Sequence, residues 1–141
     1  MIQETIDRLK AQVPMLKFVS GAASFQQASQ SNPPAVPAAY VILFGEQAGP
    51  NRLADMQVMQ QVKATVGICL VTRSVVDARG AEASNDMDEL RKEVKSALFG
   101  WAPAEGKDPY ERGAGGLLLF RDTHMWWKDD FVTAYIDRSE A

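Results

Sequence analysis

The chain has 141 residues, about the length of one ordinary domain and too short for two separate cores, so we expect a single domain over residues 1–141. Its 46% hydrophobic and 23% charged residues are close to the average of globular proteins, which argues against wholesale disorder. The formal charge is -3 and the basic residues form no block, so the sequence lacks the basic surface of a typical duplex nucleic-acid binder.

The first part of the chain predicts one clear helix and one clear strand. A helical stripe is formed by Ile2, Ile6, Leu9 and Val13, and Pro14 ends it. Residues 16–20 predict a short strand, whereas residues 21–32, rich in Ala, Ser and Gln, predict a weak helix or a loop. Residues 40–44 (YVILF) predict a buried central strand, which the glycines and proline of residues 45–51 should end.

Residues 56–73 alternate between apolar and polar side chains, which predicts a β-strand. A typical strand has about 5 to 6 residues. At about 3.3 Å per residue, this one would reach roughly 60 Å. We therefore expect part of it to project from the sheet and to pair with another chain in an oligomer. The alternatives are a bend at Gly67 or a hairpin with an inconspicuous turn near residues 55–59.

A second helix is predicted after a loop at residues 79–84. Asn85 is a candidate for its N-terminal cap, and acidic residues follow in the first turn. One apolar face then leads to a glycine at the expected helix end, with the residues Met87, Leu90, Val94, Ala97, Leu98 and Gly100.

The last part of the chain predicts a long loop and a β-hairpin. Residues 101–116 contain two prolines and four glycines, which is typical of a long functional loop. The glycines just before the next strand are expected to be flexible spacers, namely Gly113, Gly115 and Gly116. Residues 117–120 and 125–136 predict the two hairpin strands. The elements together predict an α+β fold with an antiparallel-rich sheet and two α-helices packed on one face.

Residue types that carry catalysis or bind metals are scarce in this sequence. Cys69 is the single cysteine, which excludes an intramolecular disulfide, and its apolar neighbours predict a buried thiol. The single histidine, His124, excludes the Cys and His clusters of structural zinc sites. Together with Asp122, Asp129 and Asp130 it could form a crude divalent-metal cluster, although turns collect aspartate for hydrogen bonding alone. We expect no catalytic residue, no cofactor and no metal ion.

Two neighbouring tryptophans pose a separate question. Trp126 and Trp127 lie on one strand, so their side chains point to opposite faces of the sheet. Only one can enter the core beneath the helices. The other either anchors a subunit interface or is covered by a second layer or by the loop at residues 101–116.

The sequence also argues against a membrane location. The amino end has charged residues where a signal peptide has its apolar segment, and no run approaches the roughly 18 apolar residues of a membrane span. We expect an intracellular soluble protein, or one released by lysis.

Nearly the whole chain resembles the small tail terminator proteins of long-tailed bacteriophages and prophages of the Mu-like type. The resemblance runs through PAAYVILFGEQAGPN (37–51), VGICLVTRSVVDARG (66–80), DELRKEVKSALFGWAP (88–103) and GGLLLFRDTHMWWKDDFVTAY (115–135). Its more specific parts are ALFGW and the pair WW followed by an acidic residue and FVT. We know of no catalytic motif in that family that could be transferred to this chain.

The resemblance implies a structural protein of the virion. Such a protein assembles as a ring, typically a hexamer, on the last ring of the tail tube protein, stops tube growth and presents a surface to the head–tail connector or neck proteins. It would lie at the head-proximal end of the tail, and in the host cytoplasm during assembly. The genome would pass through the ring lumen without sequence-specific nucleic-acid binding.

The excess strand length suggests where this chain contacts neighbouring copies or the tube. We expect the contacts at residues 46–51 and 56–63 and at the exposed tryptophan, with the candidates Glu46, Gln47, Asn51, Gln57, Met59, Gln61, Lys63, Trp126 and Trp127. The loop at residues 101–116 is expected to become ordered on contact with the tube or connector. The alternatives are another head–tail joining protein, such as a neck or completion protein, or a small enzyme or ligand-binding domain built around His124.

Overall fold

The structure is a computed structural model that describes residues 1–73 and 81–140, with the backbone alone for residues 81–84. Three helices and five strands follow one another as α1 (Ile2–Gln12), β1 (Phe18–Ser20), α2 (Ala22–Ser29), β2 (Ala38–Ala48), β3 (Met59–Arg73), α3 (Ala81–Leu98), β4 (Glu111–Arg121) and β5 (His124–Arg138). The predicted α+β class with a mostly antiparallel sheet is confirmed. Within the described residues no helix is long and apolar enough to span a bilayer.

The five strands form one sheet in the order β1-β2-β3-β5-β4. Only β1 and β2 are parallel, and the other neighbours are antiparallel. β3 lies at the centre and pairs with β5 along its whole length, from Met59 opposite Arg138 to Arg73 opposite His124. The prediction of an overhanging, unpaired β3 is therefore wrong, because both sides of this strand are occupied. The alternative of a bend at Gly67 is also wrong, since Gly67 pairs with both flanking strands.

The two faces of the sheet carry separate apolar cores. α1 and α3 cover the larger core, in which Leu9, Leu90 and Val94 pack on the even-numbered side chains of β3. This confirms the prediction of two helices on one face. α2 forms from the segment predicted as a weak helix or loop, and it lies on the opposite face. There Ala28 and Phe25 pack in a smaller core, which also contains Ala38, Tyr40, Cys69, Val71 and Trp126.

The strand predicted at residues 40–44 extends to Ala48, so the predicted break at residues 45–51 is wrong in position. A β-bulge between Leu43 and Gly45 lets the strand pass the glycine and keep its pairing with β3. The hairpin loop follows at residues 49–58, where Asp55 and Met56 have positive φ angles of 60° and 67°. The alternative of an inconspicuous turn near residues 55–59 is thus confirmed.

α3 begins at Ala81, four residues before the cap that the sequence predicted. Asn85 therefore lies inside the helix, because the preceding alanines and Glu82 are good helix formers and extend it. Residues 79 and 80 of the predicted loop lie outside the described residues. The predicted helix end is confirmed, since Gly100 follows α3 with φ of 81°.

β4 begins at Glu111, so the predicted loop at residues 101–116 is wrong for residues 111–116. Gly113, Gly115 and Gly116 are strand residues and not flexible spacers, since Gly115 and Gly116 pair with Asp129 and Lys128 of β5. The terminal hairpin is confirmed and is longer than predicted. Its two-residue turn consists of Asp122 and Thr123, with φ of 52° and 61°, which matches the twist of the flanking strands.

Candidate assembly surfaces

Asp129 on β5 connects the first half of β4 to the helix layer. Its carboxylate accepts hydrogen bonds from Nε of Arg91 on α3 at 2.8 Å and from Nη2 of Arg112 on β4 at 3.2 Å. Trp127 Nε1 donates a further bond to Asp129 Oδ1 at 3.0 Å. The hydrogen bond to Asp129 raises the pKa of Arg91. Two guanidinium groups thus compensate a carboxylate that is only 4% exposed, which fixes β4 against both β5 and α3.

β4 is an edge strand, and its second half exposes large apolar side chains to solvent. Leu117 is 55% exposed, and Leu118, Leu119 and Phe120 are all above one third. Neutral edges with apolar side chains favour pairing with another chain, and natural proteins protect them with charged residues such as Lys, with Pro or with β-bulges. β4 has irregular pairing between Arg112 and Gly115 and between Leu117 and Leu119, but residues 113–120 carry no charge. Residues 111–121 contain neither Lys nor Pro. We call this strand with its free side the β4 edge.

Arg121 holds the far end of the β4 edge on α2. Its Nη1 donates to the carbonyl oxygen of Ser29 at 3.1 Å, and its Nη2 donates to that of Ser31. These carbonyls lie at the end of α2, where helical partners are missing, and a cation is favourable there. The guanidinium carbon also lies 5.8 Å from the centre of the Trp126 ring. The apolar edge is therefore held firmly at both ends of β4.

The end of the sheet opposite the β4–β5 turn forms a three-stranded projection, which we call the arm (residues 45–64 and 133–138). Its strands pair in register, with Ala48 opposite Val62 and Val62 opposite Tyr135. The Tyr135 hydroxyl donates to Glu46 Oε2 at 2.9 Å, and this bond raises the pKa of Tyr135. Lys107 Nζ lies 3.4 Å from the centre of the Tyr135 ring. The arm is consequently a paired structure and not a single protruding strand.

Asn51 organises the loop at the end of the arm. Its Oδ1 accepts hydrogen bonds from the backbone N–H groups of Leu53 at 3.0 Å and Met59 at 2.9 Å. Its Nδ2 donates to the carbonyl oxygen of Gln57 at 2.9 Å. The backbone N–H of Ser139 closes the loop from the other side by donating to the carbonyl oxygen of Val58 at 2.8 Å. The loop at residues 49–58 therefore has a defined shape.

The loop end of the arm also exposes apolar side chains. Met56 is fully exposed, and Val58 and Ile136 are 38% and 49% exposed. Met56 is additionally held in the left-handed backbone region that is uncommon for a residue other than glycine. Exposed apolar groups at a well-ordered projection are typical of contact sites between proteins.

The structure brings the candidate residues of the sequence, apart from the two tryptophans, together on the arm. β2 carries Glu46 and Gln47, the loop carries Asn51 and Gln57, and β3 carries Met59, Gln61 and Lys63. Each of them is exposed or half-exposed. Their contacts with other molecules stay a prediction.

The tryptophans lie apart from the arm, and Trp126 is buried whereas Trp127 is half-buried. Trp126 is 1% exposed and stacks on Tyr40, with Phe25 of α2 edge-on at 6.1 Å. Trp127 lies on the opposite face under the guanidinium of Arg91, at 4.3 Å from the ring centre. α2 supplies the second layer that one of the predicted alternatives required, and a role of either ring in a subunit interface stays a prediction.

His124 does not form a metal cluster with the nearby aspartates. The imidazole is 5% exposed, and its Nδ1 lies 2.8 Å from the carbonyl oxygen of Asp122. Asp129 is bound by the arginines, and Asp130 lies 3.2 Å from Lys128 Nζ. Among residues 1–73 and 81–140 no group of three or more His, Cys, Asp or Glu side chains is placed to hold a metal ion.

The family model for phage tail terminator proteins matches residues 1–140. The chain belongs to the phage tail terminator protein family. No curated protein sequence matches it. Membership of the tail terminator family makes the chain a structural protein of a phage tail, which functions among tail and head components.

The β4 edge of this tail terminator family member was not predicted from the sequence as a candidate assembly surface. The run of apolar residues at 117–120 predicted a strand, but the glycines before it concealed the full strand length. A signal was present, because four consecutive large apolar residues cannot all face one core when side chains alternate along a strand. At least some of them had to lie on an outer surface.

Proposed function

We propose that this chain assembles as a ring on the end of the tail tube. The resemblance to the family implies that the ring is a hexamer. There it stops tube polymerisation and provides the surface for head attachment. The observation that carries the proposal is the exposed apolar stretch of the β4 edge in a member of the tail terminator family. The whole chain, residues 1–141, acts as one unit whose function is contact and not chemistry.

Ring closure needs two different surfaces on each copy. A head-to-tail contact that repeats with rotation closes into a ring, whereas a contact between identical surfaces stops at a dimer. The β4 edge and the arm are two such surfaces, and they project from different sides of the chain. The contacts of the arm with a neighbouring copy or with the tube tip run through Glu46, Gln47, Asn51, Gln57, Met59, Gln61 and Lys63.

The proposed partners follow from this position in the particle. One side of the ring binds the last ring of tail tube protein, and the other binds the connector or neck proteins. The ring thus lies at the head-proximal end of the virion tail, after assembly in the host cytoplasm. The genome passes through its lumen without sequence-specific binding, in keeping with the net charge of -3.

Electron microscopy of particles made without this protein tests the proposal most directly. If the chain terminates the tube, tails from such particles are overlong and carry no heads, and supplying the wild-type chain restores the normal length. Tails of normal length that fail to join heads would instead identify a neck or completion protein. Co-purification with tube protein, and not with portal-side proteins, provides a second readout of the same distinction.

Charge substitutions test the two surfaces separately. One variant replaces Gln57, Met59 and Gln61 by Glu on the arm, and another replaces Leu117 and Leu119 by Lys on the β4 edge. Both place charges where the proposal requires close contact, so both should lower the mass of the assembled protein in solution or on tubes. The matched control is Lys10→Glu on the exposed side of α1. An unchanged mass for both surface variants would contradict the proposed assembly.

A further inference from the structure

The sheet has a second open edge besides β4, and it belongs to β2. β1 pairs with only three β2 residues, from Ala38 to Tyr40. Residues 42–48 of β2 therefore pair with β3 on one side, and within residues 1–73 and 81–140 no strand lies on the other. Leu43 and Phe44 lie in this open part and are 41% and 48% exposed. Like β4, this segment contains no Lys or Pro, and like β4 it has a β-bulge, here between Leu43 and Gly45.

The directions of the strands make the two open edges compatible. β2, β3, β5 and β4 alternate in direction across the sheet, so β4 runs opposite to β2. When the sheet of one copy continues into that of the next, β4 and the neighbouring β2 therefore form an antiparallel pair. Antiparallel pairs have the more stable hydrogen-bond pattern, and each side then supplies apolar side chains to the other.

From these features we infer that the β4 edge of one copy pairs with residues 42–48 of β2 in a second copy. The inference rests on the proposed ring and specifies its subunit contact. Pairing β4 with β4 would join two copies and leave each β2 edge open. Pairing β4 with β2 satisfies both open edges of every copy, and it repeats from copy to copy as a closed ring requires.

The register of the contact follows from the position of β1, which covers the first residues of β2. β1 occupies β2 up to Tyr40, so an added strand has room only from residue 42 onward. The turn at Asp122 and Thr123 ends β4, and it then lies near Ser20, where β1 of the second copy ends. Leu117, Leu118, Leu119 and Phe120 then lie beside Leu43, while the Phe44 ring covers Gly67 of its own sheet, with Lys128 Nζ 3.7 Å from the ring centre.

Cysteine cross-linking between two differently tagged variants tests this contact. One chain carries Leu43→Cys, and the other carries one of Leu117→Cys, Leu118→Cys, Leu119→Cys or Phe120→Cys, which covers the neighbouring registers. The two chains are produced together, and mild oxidant is added to assembled tails. Opposite residues of antiparallel strands have Cα atoms about 4.5 to 5.5 Å apart, within the range of a disulfide. Native Cys69 is fully buried and does not interfere.

The expected result is a disulfide-linked heterodimer for at least one of the four combinations. Its yield should be about tenfold higher than with Lys10→Cys as the partner, because the contact holds the two thiols together. Cross-links only between β4 cysteines of the same variant would overturn the inference. Rings of correct mass without any cross-link from residue 43 to residues 117–120 would also overturn the inferred β4–β2 contact. The proposed function would not be contradicted by that result. Wild-type tails that carry no ring of this protein would reject both.

Discussion

Gly115 on β4 and Asp129 on β5 share one small space, because a Cβ atom at Gly115 would lie 2.4 Å from Asp129 Oδ1. That oxygen accepts the hydrogen bonds of Arg112 and Trp127. Only a residue without a side chain lets the carboxylate reach both donors at this place. Glycine at this position of the edge strand thus allows a side chain of the neighbouring strand to approach the backbone closely.

Gly115→Ala should therefore destabilise the fold. The new methyl group displaces the Asp129 carboxylate from its hydrogen bonds, and overpacking of this kind typically costs about 1 to 3 kcal/mol. Gly116→Ala is the matched control, since a Cβ there meets no atom within 4 Å. Urea unfolding of both variants gives the comparison. Equal stability of the two variants would contradict the role assigned to Gly115.

Thr123→Gly should stabilise the β4–β5 hairpin. Thr123 has φ of 61°, and the left-handed region costs a residue with a side chain roughly 1 to 2 kcal/mol relative to glycine. Its hydroxyl accepts a hydrogen bond of 3.3 Å from Arg73 Nε and donates one to the carbonyl oxygen of Asp122, and at this exposed turn the two bonds offset only part of that cost. We expect a gain of about 1 kcal/mol in the free energy of unfolding.

Thr123→Val is the control for this turn, because it removes the hydroxyl and keeps the branched side chain. It should not stabilise the chain. Thermal unfolding of the two variants separates relief of backbone strain from loss of the hydrogen bond. A stabilisation by Val as large as that by Gly would show that the backbone conformation is not the cause.

Tyr110 should make the stability depend on pH in alkaline solution. Burial raises its pKa from the ordinary 10.0 to about 12. In the window between these values the unfolded chain releases the proton and the folded chain retains it. The stability contribution is therefore complete below the unfolded pKa, and it is lost as the pH rises toward the folded pKa.

Tyr110→Phe tests this pH dependence by urea unfolding at about pH 8 and about pH 11. At the lower pH the variant loses the hydrogen bond of 2.9 Å to Thr5 and should be about 1 kcal/mol less stable. At the higher pH the difference should shrink, since only the wild type loses the tyrosine contribution. Tyr135→Phe, at a half-exposed position, is the control and should change the pH dependence less. A constant difference between Tyr110→Phe and wild type would contradict the argument.

Cys69 should resist alkylation in the folded chain. Burial raises the pKa of its thiol from the ordinary 9.0 to about 12, so the reactive thiolate is scarce and also shielded. Iodoacetamide at about pH 8 should label it only when urea unfolds the chain, with the labelled fraction following the unfolding curve. An exposed cysteine from Lys10→Cys should react at once. Labelling of Cys69 at the rate of that control would contradict its burial.

The fold was predictable where a single local sequence pattern determines a helix or a strand. The helical stripe of Ile2, Ile6 and Leu9 marks α1, and the alternation along β3 marks a strand with two different faces. The left-handed residue Met56 lies outside such rules, because methionine is not a usual turn residue for this conformation, although Asp55 before it is. For this reason the hairpin loop between β2 and β3 was foreseen only as an alternative.

The candidate assembly surfaces were also predictable in part, where a local sequence pattern marks them. The alternation pointed to polar residues that the structure gathers on the arm, such as Gln57, Gln61 and Lys63. The β4 edge was not foreseen as a surface, since Gly113 and Gly115 read as a loop in the sequence. Their place in a strand depends on side chains from β5, with Asp130 against Gly113 and Asp129 against Gly115.

The sequence by itself determined the fold class, the faces of α1, α3 and β3, and the family to which the chain is similar. These follow from periodicity and local phrases, which act over neighbouring residues. Only the tertiary structure decided that β3 is central and that β4 and part of β2 are the open edges. Strand order is set by contacts between residues far apart in the chain, and a one-dimensional pattern does not contain it.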